Sequence, residues 1–220
     1  MKIILQNVSK KYYAGSETIT ACKIDELVFS GGGMFAVTGP SASGKTTLLN
    51  IISGIIKPDS GSVKISGNDI TKFNSRKTAD FRLKNIGLIF QEDLLINELT
   101  VRENLEIIPQ LSGIKIKIDL SSFTDLFQIS QTLDKFPAHL SRGQRQRVSV
   151  LRSLLFDQHI IIADEPTANL DSFNAEIIYS FFRKLADTGK TIIVAAHDSR
   201  IFNFSDKIFE VKDGEIKERQ

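Results

Sequence analysis

Hydrophobic positions recur along this chain with more than one period, and each period predicts a different element. Near the N-terminus, IILQNV (3–8) and a second segment ending in KIDELVF (23–29) read as strands, and Met34 to Thr38 is a short apolar run that stops at Gly39. TTLLNIISGI (46–55) is amphipathic and predicts a helix, followed by the turn-rich GSVKISGNDI (61–70). Ile86 to Phe90, opened by Asn85, predicts a buried strand that runs straight into Gln91. From Thr100, spaced with Glu103 as a capping box, the pattern becomes helical and remains mostly so to about Phe136, where Pro137 breaks it. A further helix opens at Ser141, with Gln144 completing its box, and continues through Val148, Leu151 and Leu155. HIIIAD (159–164) and TIIVAAH (191–197) are fully apolar runs ending in polar residues, the pattern of central parallel strands covered on both faces. Ligands bind at the carboxyl ends of such strands. IFEVKDGEIKE (208–218) alternates around Asp213 and Gly214 and predicts a hairpin. With no fixed-period repeat and no clear linker, the expectation is one α/β unit over 1–220, with a core at about 1–91 and 141–220 and a small helical lobe at about 92–140.

Composition narrows the classes. With 41% hydrophobic and 25% charged residues in 220, the chain is ordinary globular protein, not disordered, collagenous or a long coiled coil. Its one cysteine, Cys22, has no partner for a disulfide or a zinc knuckle, which fits a reducing compartment such as the cytosol. The first residues form no signal peptide, and no apolar run approaches the roughly 18–20 residues of a membrane span. Lys plus Arg number 28 against 26 Asp plus Glu, so overall charge makes no case for nucleic acid. The function has to come from local motifs.

GPSASGKT, Gly39 to Thr46, fits the phosphate-binding pattern G-x-x-x-x-G-K-[ST] between a predicted strand and a predicted helix. Glycines let the backbone wrap closely, so the N–H groups of Gly39, Pro40's neighbours Ser41, Ala42 and Ser43, Gly44 and the helix start up to Thr47 can meet anionic oxygens. Lys45 adds a charge for the β and γ phosphates, and Thr46 a hydroxyl for Mg²⁺. IIIADEP, Ile160 to Pro166, delivers Asp164 to a strand end, where a carboxylate can hold Mg²⁺ through its water shell, and places Glu165 next to it to activate a water.

With these motifs in place, LSRGQRQR (Leu140 to Arg147) resembles the LSGGQ signature of the ATP-binding subunits of ATP-binding cassette (ABC) transporters, and the resemblance covers nearly the whole chain. It implies a phosphate-loop NTPase core with an N-terminal antiparallel β subdomain and a small inserted helical subdomain. It also implies an ATPase using ATP and Mg²⁺, two subunits sandwiching two ATPs head to tail, and an integral membrane subunit as partner at the cytoplasmic face of a membrane. In that arrangement Ser141, Gly143 and Gln144 would cap the γ phosphate of the second subunit. Arg142 departs from the family's usual glycine. The resemblance further places Gln91 at Mg²⁺ and the attacking water, His197 at the γ phosphate, Asp171 of ANLD (168–171) in the loop between the two sites, and Tyr12 against adenine, with Tyr13 adjacent. It also puts a docking groove between the Gln91 loop and the helical lobe, where Leu94, Leu95 and Ile96 form an apolar cluster.

Within the family, GPSASGKTTLLNIISGIIKPDSG, RLKNIGLIFQ, LTVRENL and DEPTANLD look most like the lipoprotein-release, macrolide-export and cell-division group, with Ala168 in place of its glycine. The resemblance thus implies an exporter or mechanotransmission complex for lipoprotein, peptide or drug. A nucleotide-dependent scaffold of the cell-division type, or a soluble ABC ATPase, is the alternative. His139, His159, Cys22 and the phenylalanines 202, 204 and 209 read as surface or packing residues. Arg142, Arg145, Arg147 and Arg152 read as an inter-lobe basic helix.

Overall fold

Side chains on β3 (Gly33–Thr38), β7 (Ile160–Asp164) and β8 (Thr191–Ala195) alternate between two separate cores. Met34, Ala36, Ile161, Ala163, Ile192 and Val194 point to one, and Phe35, Val37, Ile160, Ile162, Ile193 and Ala195 to the other. A period of two combined with burial on both faces makes these strands read as unbroken apolar runs. The structure, a computed structural model, describes residues 1–15, 17–113 and 119–219.

The first core is closed by α3 (Val101–Ser112), α5 (Arg142–Leu154) and α6 (Ser172–Asp187). Under the second lie α1 (Lys45–Ile52) and the strands β1 (Ile3–Ala14), β2 (Glu17–Phe29) and β4 (Ser60–Ile65). With β5 (Asn68–Asp69), β6 (Ile86–Ile89), β9 (Lys207–Lys212) and β10 (Glu215–Glu218), ten strands form one sheet in the order β5-β4-β1-β2-β10-β9-β3-β8-β7-β6. The β9-β3-β8-β7-β6 half is parallel, and β5-β4-β1-β2 is antiparallel. This is the predicted α/β phosphate-loop core with an N-terminal antiparallel part. The last hairpin turns at Asp213 and Gly214, both at positive φ (51° and 78°), as a two-residue primed turn requires.

Both predicted capping boxes form. Thr100 and Glu103 close the start of α3, and Ser141 and Gln144 that of α5. Several elements differ from expectation. β1 and β2 run to 12 and 13 residues, because their antiparallel pairing continues past the buried part out to Ala14 and Glu17. The turn-rich stretch after α1 contains β4. α2 (Ser75–Asn85) and α6 are absent from the predicted elements. α2 is polar nearly all round and buries only Thr78, so it shows no apolar stripe. α6 does carry one, burying Ala175, Ile178, Tyr179, Phe182 and Ala186. The helical expectation from Thr100 to Phe136 yields α3 and α4 (Leu120–Leu126), then 3₁₀ turns at Ser130–Thr132 and Pro137–His139; part of it, 114–118, lies outside the described residues.

Candidate active site

The loop from Gly39 to Gly44 joins β3 to α1, and its glycines are sterically required. A Cβ on Gly39 (φ 146°) would lie 2.1 Å from the Val211 carbonyl oxygen, and one on Gly44 (φ 111°) 2.2 Å from that of Ala21. Any side chain there would push the loop off β9 or β2. Ala42 also sits at positive φ, 61°, at a cost of about 1 kcal/mol or more for a non-glycine residue. Gly44 caps α1 without a side chain, and no acidic residue occupies the first turn. The helix N-terminus therefore keeps its N–H groups and its partial positive charge for an anion.

Lys45 folds back over this loop, its Nζ donating to the carbonyls of Gly39 (3.0 Å) and Pro40 (2.8 Å). Burial pushes its pKa below the ordinary lysine value, and the nearby charges of Glu165 and Asp164 oppose that shift. The result is a buried cation resting on neutral acceptors. Thr46 donates its hydroxyl to Asp164 Oδ2 at 2.6 Å, so the end of β7 and the start of α1 meet through two hard oxygen ligands.

Glu165, one residue beyond β7, lies at φ 47°, and its backbone N–H donates to the Ala195 carbonyl (2.8 Å), tying the ends of β7 and β8 together. Its carboxylate then lies between two side chains. His197 Nε2 is 3.1 Å from Oε1, and Gln91 Nε2 donates to Oε2 at 3.4 Å. The same His197 nitrogen is 3.4 Å from Lys45 Nζ. One ring nitrogen cannot both donate and accept, and the nearer carboxylate of Glu165 is an acceptor that a hydrogen on Nε2 would satisfy.

Ten of the residues expected at the nucleotide, Tyr12, Ser41, Ala42, Gly44, Lys45, Thr46, Thr47, Gln91, Glu165 and His197, line one cleft of about 380 Å³. Gly39, Pro40 and Ser43 belong to its loop, and Asp164 joins it through Thr46. Of the two tyrosines, Tyr12 lines the cleft and Tyr13 does not. Two further lining residues, Ile19 and Ala21, escape sequence reasoning. They reach the cleft because Tyr12 pairs with Ile19 across the β1–β2 ladder, in a register set by an irregularity between Lys10 and Lys11.

The cleft suits a nucleotide phosphate. Ser43 Oγ is buried and has no hydrogen-bond partner among the described residues, inside a loop whose two glycines leave no room for side chains. For a metal ion, the hydroxyl of Thr46 and the carboxylate of Asp164 meet as a partial oxygen set, and Gln91 lines the same cleft. Among the described residues no group of three His, Cys, Asp or Glu could hold a metal by itself. A partial set of this kind suits Mg²⁺, which keeps several waters and shares its shell with phosphates.

Ser141, Gly143, Gln144 and Asp171 do not line this cleft. Ser141, exposed, accepts the Gln144 N–H at 3.2 Å, and Gln144 Oε1 accepts the Ser141 N–H at 2.9 Å. Arg142 is exposed beside them. Asp171 caps α6 through the N–H and side-chain amide of Asn174, both at 2.8 Å, and these bonds hold its carboxyl below the usual carboxylate range. A Cβ on Gly143 would lie 3.2 Å from Leu170 Cδ2 and 3.3 Å from the Asn169 oxygen, so the signature segment packs on the loop ending at Asp171. Two arginines of α5 grip the segment after Gln91: Arg145 pairs with Asp93 at 3.0 Å, and Arg152 donates to the carbonyls of Asp93 and Leu94. The expected apolar docking cluster does not hold together. Leu95 is 8% exposed and packs into the first core, whereas Leu94 and Ile96 are 50% and 41% exposed. The left-handed backbone at Leu94 (φ 48°) and the Asn104 bonds to Ile96 turn only the middle side chain inward.

Comparisons with known proteins agree with this geometry. The family model described as ABC transporter matches residues 23–168. The macrolide export ATP-binding/permease protein MacB of Salmonella typhimurium is 37% identical over 215 residues, 96% of this chain and 33% of the relative. MacB of Escherichia coli K12 is 34% identical over the same span. The chain thus spans about a third of the length of these curated relatives. Among solved structures, the ATP-binding cassette MJ0796, a dimer in a post-hydrolysis state bound to ADP and phosphate, superposes with a TM-score of 0.91 at 34% identity, covering 99% of this chain and 98% of that one. A second structure, of MJ0796 as a dimeric bacterial ABC transporter cassette, gives 0.90. Carrying the phosphate loop, the acidic strand end and the family match together, the chain belongs to the ABC transporter family as an ATP-binding cassette with ATPase activity.

Proposed function

We propose that the chain hydrolyses Mg²⁺-bound ATP as one half of a head-to-tail pair of cassettes and so drives an integral membrane subunit, in an export or mechanotransmission complex. The loop from Gly39 to Thr47 would bind the phosphates through backbone N–H groups, with Lys45 leaving the Gly39 and Pro40 carbonyls for the β and γ phosphates and Tyr12 stacking on adenine. Thr46, Asp164 and Gln91 would hold Mg²⁺, which supplies charge neutralisation across the phosphates. Glu165 would take a proton from the attacking water while Gln91 orients that water. His197, now facing Glu165, would turn its Nε2 hydrogen to the γ phosphate.

One observation supports the dimer reading: the N-terminus of α5, with Ser141, Gly143 and Gln144, lies outside the cleft of its own chain, where its N–H groups would seat an anion held by a second copy. The Ser141 hydroxyl spends its acceptor side on the Gln144 N–H and keeps its hydrogen for an external oxygen. Asp171, beside it across Gly143, would read the partner's site. Residues 92–140 would act as a lobe that brings the α5 end and the Gln91 segment into position. Among the described residues no helix is long and apolar enough to cross a membrane, so the membrane part that the cassette would drive lies outside them.

Mixing two inactive variants tests the pairing. Lys45→Ala has no working cleft but an intact α5 seat, and Ser141→Arg has the reverse. Mixed, they form one complete site per heterodimer, so ATP turnover should reappear. Absence of recovery, with each variant folded by circular dichroism, refutes the head-to-tail pair.

A further inference from the structure

Tyr179 of α6 is fully buried in the first core, yet it brings a hydroxyl into a cluster that is otherwise apolar. That hydroxyl lies 2.7 Å from Oγ1 of Thr167, which is also buried, and this is the one hydrogen bond that either side chain makes among the described residues. Burial pushes the phenol pKa up to about 12, so the group stays neutral and keeps its hydrogen. Neither residue lines the nucleotide cleft. A buried hydroxyl pair adds little to stability by itself: replacing both partners with apolar groups of similar shape is often nearly neutral, whereas removing one strands the other. What such a pair fixes is a position.

Here the position belongs to the turn that follows β7. Glu165, Pro166, Thr167 and Ala168 form a turn closed by the Ala168 N–H on the Glu165 carbonyl (3.2 Å), with proline at its second residue, where a fixed φ suits a turn. Thr167 is the third residue, and its carbonyl accepts from the Leu170 N–H at 3.1 Å. Glu165 stands at φ 47°, a left-handed conformation that persists only where the surroundings hold it. Upstream, the bond from its N–H to the Ala195 carbonyl holds it. Downstream the turn does, and Tyr179 is the side chain that ties the turn to α6. We propose that Tyr179 is a positioning residue for the general base: through Thr167, its hydroxyl fixes the turn that aims the Glu165 carboxylate at the attacking water. This inference rests on the role proposed above for Glu165 and adds a residue that acts on it from outside the cleft. Pro166 stiffens the turn, so displacement of Thr167 passes on to Glu165. Misplacing a reacting group by about 1 Å can cost about 100-fold in rate, and a partial loosening of the turn should cost about tenfold.

The test compares Tyr179→Phe with the double variant Tyr179→Phe, Thr167→Val in the full chain, by single-turnover phosphate release from Mg²⁺-ATP, a labelled-ATP titration and thermal melting. Tyr179→Phe should slow turnover about tenfold and leave ATP affinity within about twofold, since the residue lies outside the cleft. The double variant leaves no buried hydroxyl unpaired, so it should recover the melting temperature that Tyr179→Phe loses and yet remain slow. A bond that serves stability alone predicts that turnover returns with it. Placed on top of Glu165→Gln, Tyr179→Phe should change the residual turnover by less than about twofold, because no base is left to aim. If Tyr179→Phe does not fold, the double variant carries both comparisons. Turnover within about twofold of the unmodified chain in Tyr179→Phe, turnover recovered in the double variant, or the full tenfold loss repeated on top of Glu165→Gln would each overturn the inference. Failure of the base assignment beneath it registers separately, as a loss of less than about tenfold on Glu165→Gln alone.

Discussion

Glu165→Gln separates the chemical role of this residue from its structural one. The amide keeps the shape, and its oxygen can still accept from His197, whose Nε2 lies 3.1 Å from Oε1. The amide nitrogen then faces Gln91, and the contact given up is the long one, 3.4 Å, at a partly exposed side chain. Such a bond contributes about 0.5 kcal/mol or less, which for a chain of this size is a melting shift of about 1–2 °C. The amide cannot take a proton. On the role proposed above for Glu165, its loss as general base should slow turnover about 100- to 10,000-fold, or about 3–5 kcal/mol in the barrier. The two effects differ by several-fold in free energy, so they can be read apart. Phosphate release under saturating Mg²⁺-ATP gives the first, differential scanning fluorimetry the second, and a labelled-ATP titration should give unchanged affinity. Light scattering should then show the ATP-bound variant accumulating as a dimer. A fall in turnover of less than tenfold would refute the assignment of the base, and a drop in melting temperature beyond several degrees would show a structural role instead.

Lys45→Ala should weaken ATP binding by at least about tenfold, because it removes a buried cation from a loop with no other lysine; labelled-ATP binding measures it. Leu95→Asp should cost about 3–5 kcal/mol in urea unfolding because it puts a carboxylate into the first core, whereas Leu94→Asp, next in sequence but exposed, should stay within about 0.5 kcal/mol. Arg142→Gly should leave ATP turnover within about twofold, since the side chain is exposed at the start of α5 and blocks nothing in its own chain; a tenfold rise would mean that it crowds the opposite phosphate. Gly143→Ala should leave monomer stability nearly unchanged, a helix-propensity gain of about 1 kcal/mol offsetting contacts with Leu170 and Asn169 that are too close. It should nonetheless weaken ATP-dependent dimerisation in the Glu165→Gln background, as seen by light scattering.

Much of the fold is legible in the sequence because its strongest signals are local. β3, β7 and β8 read as apolar runs since both of their faces are buried, and the two capping boxes read correctly because each is a contact between residues three apart. α2 could not be read in this way. It lies on the surface with basic side chains and buries only Thr78, so no hydrophobic period marks it, although Asn74 caps it by accepting from Lys77 N–H at 2.9 Å. α6 had the period, with Ala175, Ile178, Tyr179, Phe182 and Ala186 on one face, together with an Asp cap at its start. Its apolar face and its Asp171 cap are local signals of the same kind as those of α5.

The site divides along the same line. Lys45, Thr46, Asp164 and Glu165 stand in short motifs whose geometry is set by the strand end or turn they sit on, so local spacing locates them. Ile19 and Ala21 have no motif. They line the cleft because an irregularity between Lys10 and Lys11 fixes the ladder that sets Ile19 opposite Tyr12, and because Gly44 lies so close to Ala21 that a Cβ would meet its carbonyl oxygen at 2.2 Å. A one-residue slip in that ladder would turn Tyr12 to the other face of the hairpin and Tyr13 toward the cleft. The choice between the two tyrosines is therefore a question of register between strands, and no reading of SKKYY by itself could decide it. The same holds for Leu94, Leu95 and Ile96: their composition suggests a patch, but the backbone of Leu94 at φ 48° and the Asn104 side chain, which bonds both the N–H and the carbonyl of Ile96, decide that only the middle residue enters the core.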